Sequence, residues 1–303
     1  MSIDANRGTM LRRALGRAAP PDRIIQKAFD GDDRHLRRLS RLLPEERAEV
    51  KDLWEYMQDL LYTEVDGALL AHLLPVCLEG WREDLRGTHR GYAGFVEHFY
   101  PVLADRKVFK EHLTPKQSAA VSDFMRESIL DEIDDQRGLA FQGTMSRPYR
   151  WIRALTTYGV LLPDVERLWT GRWSRNTVGR AVAAVQYVSC LMYADNENPI
   201  FAPWTREGGG GPPVLWEFEG HLYQHRWLET NVDFLRRVLT VQAVSDLLAR
   251  AVERLVGQPE HSVAAEVLGD LPLCSETLDA RCSELLRLLA TTQGTSTPLA
   301  WSG

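Results

Sequence analysis

Residues 207–229 read EGGGGPPVLWEFEGHLYQHRWLE, and the folding of this stretch decides whether the chain is wholly helical or carries a small β element. Four glycines and two prolines end whatever precedes it. Read as strands, Val214–Phe218 and Leu222–Trp227 flank Glu219-Gly220, a two-residue turn in which Gly220 accepts a positive φ. Read as a helix, Glu217, His221, His225 and Glu229 recur every four residues and form one column. Aromatic and β-branched residues suit strands, and the Gly/Pro run is a poor start for a packed helix, so the hairpin is the preferred reading.

Outward from this stretch the pattern is helical. Val50, Leu53, Trp54, Met57, Leu60 and Leu61 keep a helical period, and so does Val65–Leu85, with Pro75 as an expected kink or break. The clearest helix starts at Thr114, where Thr114 and Gln117 make a capping-box pattern and Pro115 stands at the first helical position. Val121, Phe124, Met125, Ile129 and Ile133 form its buried stripe, and Arg137-Gly138 ends it. Tyr149–Tyr158 and Pro163–Thr170 follow. Asn176–Tyr193 is apolar nearly all round, the pattern of a central buried helix. Asn231–Val256 reads as helix with a break near Thr240, and Glu276–Leu289 as the last helix. The expected fold is mainly α, a multi-helix array with one small hairpin near 214–227, all-α being the alternative.

The expected organisation is a basic leader over 1–22, a helical subdomain over 23–143, a second over 144–292 containing the hairpin, and a loose Thr/Ser/Gly-rich tail over 293–303. The boundary is placed at the Gly143–Pro148 break. A 44% hydrophobic and 26% charged composition is that of a soluble globular chain, and the net charge of −6 gives no general basis for binding nucleic acid or an acidic membrane. No apolar run reaches the length of a membrane helix. The four widely spaced cysteines, Cys77, Cys190, Cys274 and Cys282, read as reduced thiols, which implies a cytoplasmic protein.

In the helical reading of 217–229, two imidazoles at i and i+4 can reach one metal ion, with Glu217, Glu229 and Asp195 as oxygen ligands. That donor set suits non-haem iron, manganese or zinc. Leu222, however, follows His221 where the zinc-protease pattern requires glutamate. The acidic run Asp131–Asp135 superficially matches the magnesium motif of helical terpene synthases, but the second motif is missing, and a solvated helix end is preferred. Glu55, Asp59, Glu64, Asp66 and His72 read as exposed polar faces with an occasional satisfied histidine.

In the hairpin reading, an aromatic strand pair is followed by WLETNVDFLRRVL, with Asn231, Phe234 and Leu235 at the helix start. Residues 212–240 thus resemble the closing segment of SUKH-superfamily immunity proteins. The resemblance implies a binder of partner proteins with no catalytic residues to carry over. The functional expectation is a non-catalytic protein-interaction protein of the immunity or accessory kind, without a cofactor, using Trp204, Trp216 and Trp227 as exposed partner contacts. The alternative is an enzyme using one divalent transition metal held by His221 and His225.

Overall fold

The computed structural model describes residues 11–16, 20–43, 46, 48–87, 95–105, 107–139, 147–193 and 227–290. Every regular element among them is an α-helix. These are α1 (residues 11–15), α2 (Arg34–Leu39), α3 (Val50–Tyr62), α4 (Gly67–Leu85), α5 (Phe95–Asp105), α6 (Val108–Glu111) and α7 (Pro115–Asp134). They continue as α8 (Arg147–Leu161), α9 (Val165–Ser174), α10 (Val178–Met192), α11 (Glu229–Val238), α12 (Val241–Arg254), α13 (His261–Asp270) and α14 (Ser275–Ala290). The fold is mainly α, with no strand among the described residues. The hairpin expected near 214–227 lies outside the described residues but for Trp227, which belongs to no helix or strand.

The chain divides into two compact units, Met1–Ser128 and Ile129–Gly303. The division falls inside α7; the sequence break near 143–148 lies mostly outside the described residues.

In the first unit α3 packs against α2 and α5, and α4 against α5. Leu53, Tyr56, Met57 and Leu60 form the buried stripe of α3. Pro75 lies inside α4 without ending it; Leu73, Leu74, Cys77 and Leu78 around it are buried, and their packing outweighs the one backbone hydrogen bond a proline removes. Trp81 is fully buried and its indole N–H donates to the Tyr100 hydroxyl at 2.8 Å. The Thr114 capping box forms reciprocally: Gln117 N–H donates to Thr114 Oγ1 at 3.3 Å, and Thr114 N–H donates to Gln117 Oε1 at 3.0 Å.

In the second unit α10 is the central helix, buried from Gly179 to Met192 and packed by α8, α12, α13 and α14. Its start depends on a glycine, because a Cβ on Gly179 would lie 1.9 Å from the Asp134 carbonyl oxygen. The acidic run at the end of α7 is not the solvated helix end expected from its charges. Arg180 Nε and Nη2 donate to Asp134 at 2.7 and 2.9 Å, the Thr177 hydroxyl donates to it at 2.8 Å, and Glu132 is buried against Gln136. Burial works against the charge on Asp134, but the hydrogen bonds from Arg180 and Thr177 outweigh it and hold its pKa below the ordinary value.

Asn231 staples three elements of this unit. It is buried, donates to the carbonyls of Gly159 and Leu162 at 2.9 and 2.6 Å, and accepts from Val165 N–H at 3.3 Å. It thereby satisfies groups at the end of α8 and the start of α9 that helix geometry leaves open.

Candidate functional site

Between α1 and α2 of the first unit the chain takes no regular structure over residues 20–33, and side chains from the end of α3 and the start of α4 fix its course. Ile25 N–H donates to Asp66 Oδ2 at 3.0 Å and Phe29 N–H donates to Asp59 Oδ1 at 2.8 Å. The Gln26 side chain accepts from Asp66 N–H at 3.0 Å and donates to the Thr63 hydroxyl, which donates to the Lys27 carbonyl at 3.2 Å. Asp66 has a second task, since its Oδ1 caps α4 by accepting from Ala68 and Leu69 N–H at 3.0 and 3.2 Å. Both aspartates are only 3% exposed. A hydrogen bond to a buried carboxylate is worth about 1.5–3 kcal/mol, so two of them make an irregular segment rigid.

What this segment presents outward is apolar. Ile25 is 66% exposed, Phe29 53% and Tyr62 61%, and the Phe29 and Tyr62 rings lie 4.5 Å apart between centroids. Isolated exposed hydrophobic residues are ordinary on any surface, and Leu273 is one here. A contacting aromatic pair on a clamped backbone is different, because covering it costs little side-chain entropy.

The clamp continues inward through Asp59. Its Oδ2 meets Nε2 of buried His35 at 2.5 Å, while His35 Nδ1 faces Glu55 at 3.5 Å. Burial opposes a charge on His35, but the Asp59 hydrogen bond and the Asp59, Glu55 and Asp52 charges outweigh it and raise its pKa. The hydrogen bond to His35 holds Asp59 in the orientation that receives Phe29 N–H. Arg38 Nε donates to buried Asp52 at 2.7 Å, a second pair joining α2 to α3.

The second unit contains a different cluster. Arg172 on α9 is fully buried in an aromatic box, its Cζ 3.9 Å from the ring centre of Trp173, 4.0 Å from Trp169, 4.5 Å from Tyr187 and 5.4 Å from Trp151. Among the described residues no carboxylate pairs with it, and the polar group against its guanidinium is the Tyr187 hydroxyl. Burial pushes its pKa down to about 9, with Tyr187 working the other way, so the group stays cationic at neutral pH. Cation–π attraction of about 2 kcal/mol per desolvated ring offsets part of the cost of burying the charge.

Of the site residues expected from the sequence, His221, His225, Glu217, Asp195, Trp204 and Trp216 lie outside the described residues. Glu229 stands exposed in the first turn of α11, where its carboxylate pairs with Arg236 at 3.3 Å. Trp227 is a correction: it was expected on the surface and is only 5% exposed. Its indole packs over Gly159 so closely that a Cβ there would stand 2.4 Å from the ring, and only glycine leaves room for it. Among the described residues no three His, Cys, Asp or Glu side chains gather in a way that could hold a metal ion. No helix among them is long and apolar enough to cross a membrane. The four cysteines are unbridged, and burial pushes the Cys190 and Cys282 thiols up to about 12.

The residues that build the apolar face escaped the sequence reading. Asp59 and Asp66 were expected on exposed polar faces, and both are buried. One signal was present: Asp52 and Asp59 are seven residues apart and share the apolar face of α3 with Tyr56 and Leu60. Acids on a buried stripe require partners, and here they are Arg38, His35 and the backbone of 25–29. No protein family, curated protein or solved structure matches this chain.

Proposed function

We propose that this chain is a non-catalytic protein-interaction protein whose contact with a partner protein centres on Ile25, Phe29 and Tyr62. The observation that carries this reading is the pairing of a rigid backbone with exposed aromatic rings: Phe29 and Tyr62 are each more than half exposed, while the N–H of Phe29 is tied to a buried carboxylate. Aromatic residues held in this way concentrate binding energy, because their apolar area is removed from water without ordering a loop at the moment of binding. A role as an immunity or accessory factor is the version of this reading that the resemblance of 212–240 implies.

The test is enrichment of binding proteins from an extract of the source organism, then reconstitution with the purified partner and titration calorimetry. Phe29→Ala and Tyr62→Ala are each expected to weaken the reconstituted complex tenfold or more, with the thermal midpoint of the free protein unchanged. A reconstituted complex indifferent to both substitutions would contradict the proposal.

A further inference from the structure

Within the second unit, α10 and α12 leave a cavity of about 540 Å³ between one face of each helix. α10 contributes Thr177, Arg180, Ala181 and Ala184, and α12 contributes Leu247, Arg250, Ala251 and Arg254; each set follows the i, i+3, i+4, i+7 spacing of a single helical face. Ala181, Ala184 and Ala251, small and buried, form part of its wall. Arg175 and Trp173 close one end. Four arginines and one acid, Glu253, therefore line the cavity; with Asp134, which pairs with Arg180 and Arg175, the formal charge of the group is +2.

Three further observations bear on what fills it. Arg180 is 4% exposed, and although its Nε and Nη2 hold Asp134, its Nη1 has no hydrogen-bond partner among the described residues. The indole N–H of Trp173 is buried and also lacks an acceptor among the described residues. Thr177 is the N-cap of α10, and its hydroxyl and the Arg180 guanidinium already hold the Asp134 carboxylate at that end of the helix. The unused donors, together with the further guanidiniums of Arg250 and Arg254, call for one kind of group, an oxyanion of more than single charge. Arg172 stacks behind Trp173 and adds a further buried cation to this end.

Guanidinium forks match phosphate oxygens in pairs, which favours phosphate over a compact anion that a lysine would hold as well. The cavity is also far larger than a lone phosphate needs, and its remaining wall is apolar, formed by Ala184, Leu247, Ala251 and the exposed Val256. We propose that this cavity binds an organic phosphate monoester, its dianionic head among Arg180, Arg250 and Arg254 and its organic body against the alanine and leucine wall. The site lies on other residues than the apolar face of the first unit and stands whether or not that face binds a partner.

Titration calorimetry on the full chain tests it with three probes: phenyl phosphate, inorganic phosphate and benzoate. Phenyl phosphate is expected to saturate one site and to bind at least tenfold more tightly than either of the others. Arg250→Ala is exposed and free of structural partners among the described residues; it should weaken phenyl phosphate tenfold or more with the circular dichroism spectrum unchanged. Arg254→Ala, whose Nε otherwise holds the Asn176 carbonyl at 3.0 Å, should do the same. Absence of saturation by phenyl phosphate at millimolar concentration would overturn the proposal. So would equal binding by wild type and Arg250→Ala, or benzoate matching phenyl phosphate.

Discussion

In the first unit the buried imidazole of His35 lies between two carboxylates, Asp59 and Glu55, whereas in the second the buried guanidinium of Arg172 lies among four aromatic rings without a carboxylate partner among the described residues. The two arrangements do different work. A carboxylate shared by an imidazole and a backbone N–H fixes geometry, and what it fixes here is the segment that carries Ile25 and Phe29. An aromatic box fixes the position of a cation but leaves its charge without a carboxylate among the described residues. One unit uses buried charge to position an apolar surface; the other holds buried charge among aromatic rings.

The largest expected effect comes from breaking the paired case. Asp59→Ala removes the partner of His35 and the acceptor of Phe29 N–H together, and is expected to cost about 3–5 kcal/mol in urea denaturation. A loss below 1 kcal/mol would show that the carboxylate is not the clamp described here. Gly159→Ala in the second unit comes next. The added methyl meets the Trp227 ring 2.4 Å away, and the expected cost is about 3 kcal/mol, with loss of Trp227 burial read from fluorescence quenching.

Arg172→Met sharpens the contrast by inverting the sign. A buried charge without an acid is replaced by an apolar chain of similar length, so stability is expected to be unchanged or to rise by about 1–3 kcal/mol. A loss greater than 2 kcal/mol would mean that the aromatic faces compensate the charge fully.

The pH dependence that His35 sets is smaller and belongs to the first unit. Because the His35 pKa is raised in the folded protein, its contribution is complete below the ordinary value of 6.5 and is lost as pH rises through the raised value. Wild type should therefore lose stability over that window relative to His35→Gln, measured as the difference between their urea midpoints. Parallel curves would remove His35 from the account. The smallest effect is Phe29→Ala, within about 0.5 kcal/mol of wild type in stability, since an exposed ring supports little of the fold.

The helical architecture was largely legible in the chain, because periodicity and capping are local. Thr114, Gln117 and Pro115 marked the start of α7, the nearly all-round apolar pattern from Val178 marked α10 as buried, and Thr240 marked the break that became the N-cap of α12. Short elements left no such trace. α13 buries only Ala264 and Val267, too thin a stripe to stand out, and α2 reads as a run of charges around His35, Leu36 and Leu39. The apolar face was not legible at all, because it depends on contacts 30 to 41 positions apart, from Phe29 to Asp59 and from Ile25 to Asp66. Reading acids as solvent-facing hid it, since the one local signal, Asp52 and Asp59 on the apolar face of α3, marks a buried acid without naming the backbone it holds. Trp227 was misplaced for the same reason: its cover is Gly159, and the need for a glycine there shows only when the ring is on it.

Hydrogen exchange at the Ile25 and Phe29 amides tests the central claim without knowledge of the partner. If buried carboxylates hold this segment, both amides are protected in the wild type despite lying in no helix, and Asp59→Asn speeds exchange at Phe29 far more than at Ile25, which Asp66 still holds. Unprotected amides in the wild type would mean that Phe29 and Ile25 ride on a loose loop, and the prearranged binding surface would be lost with it.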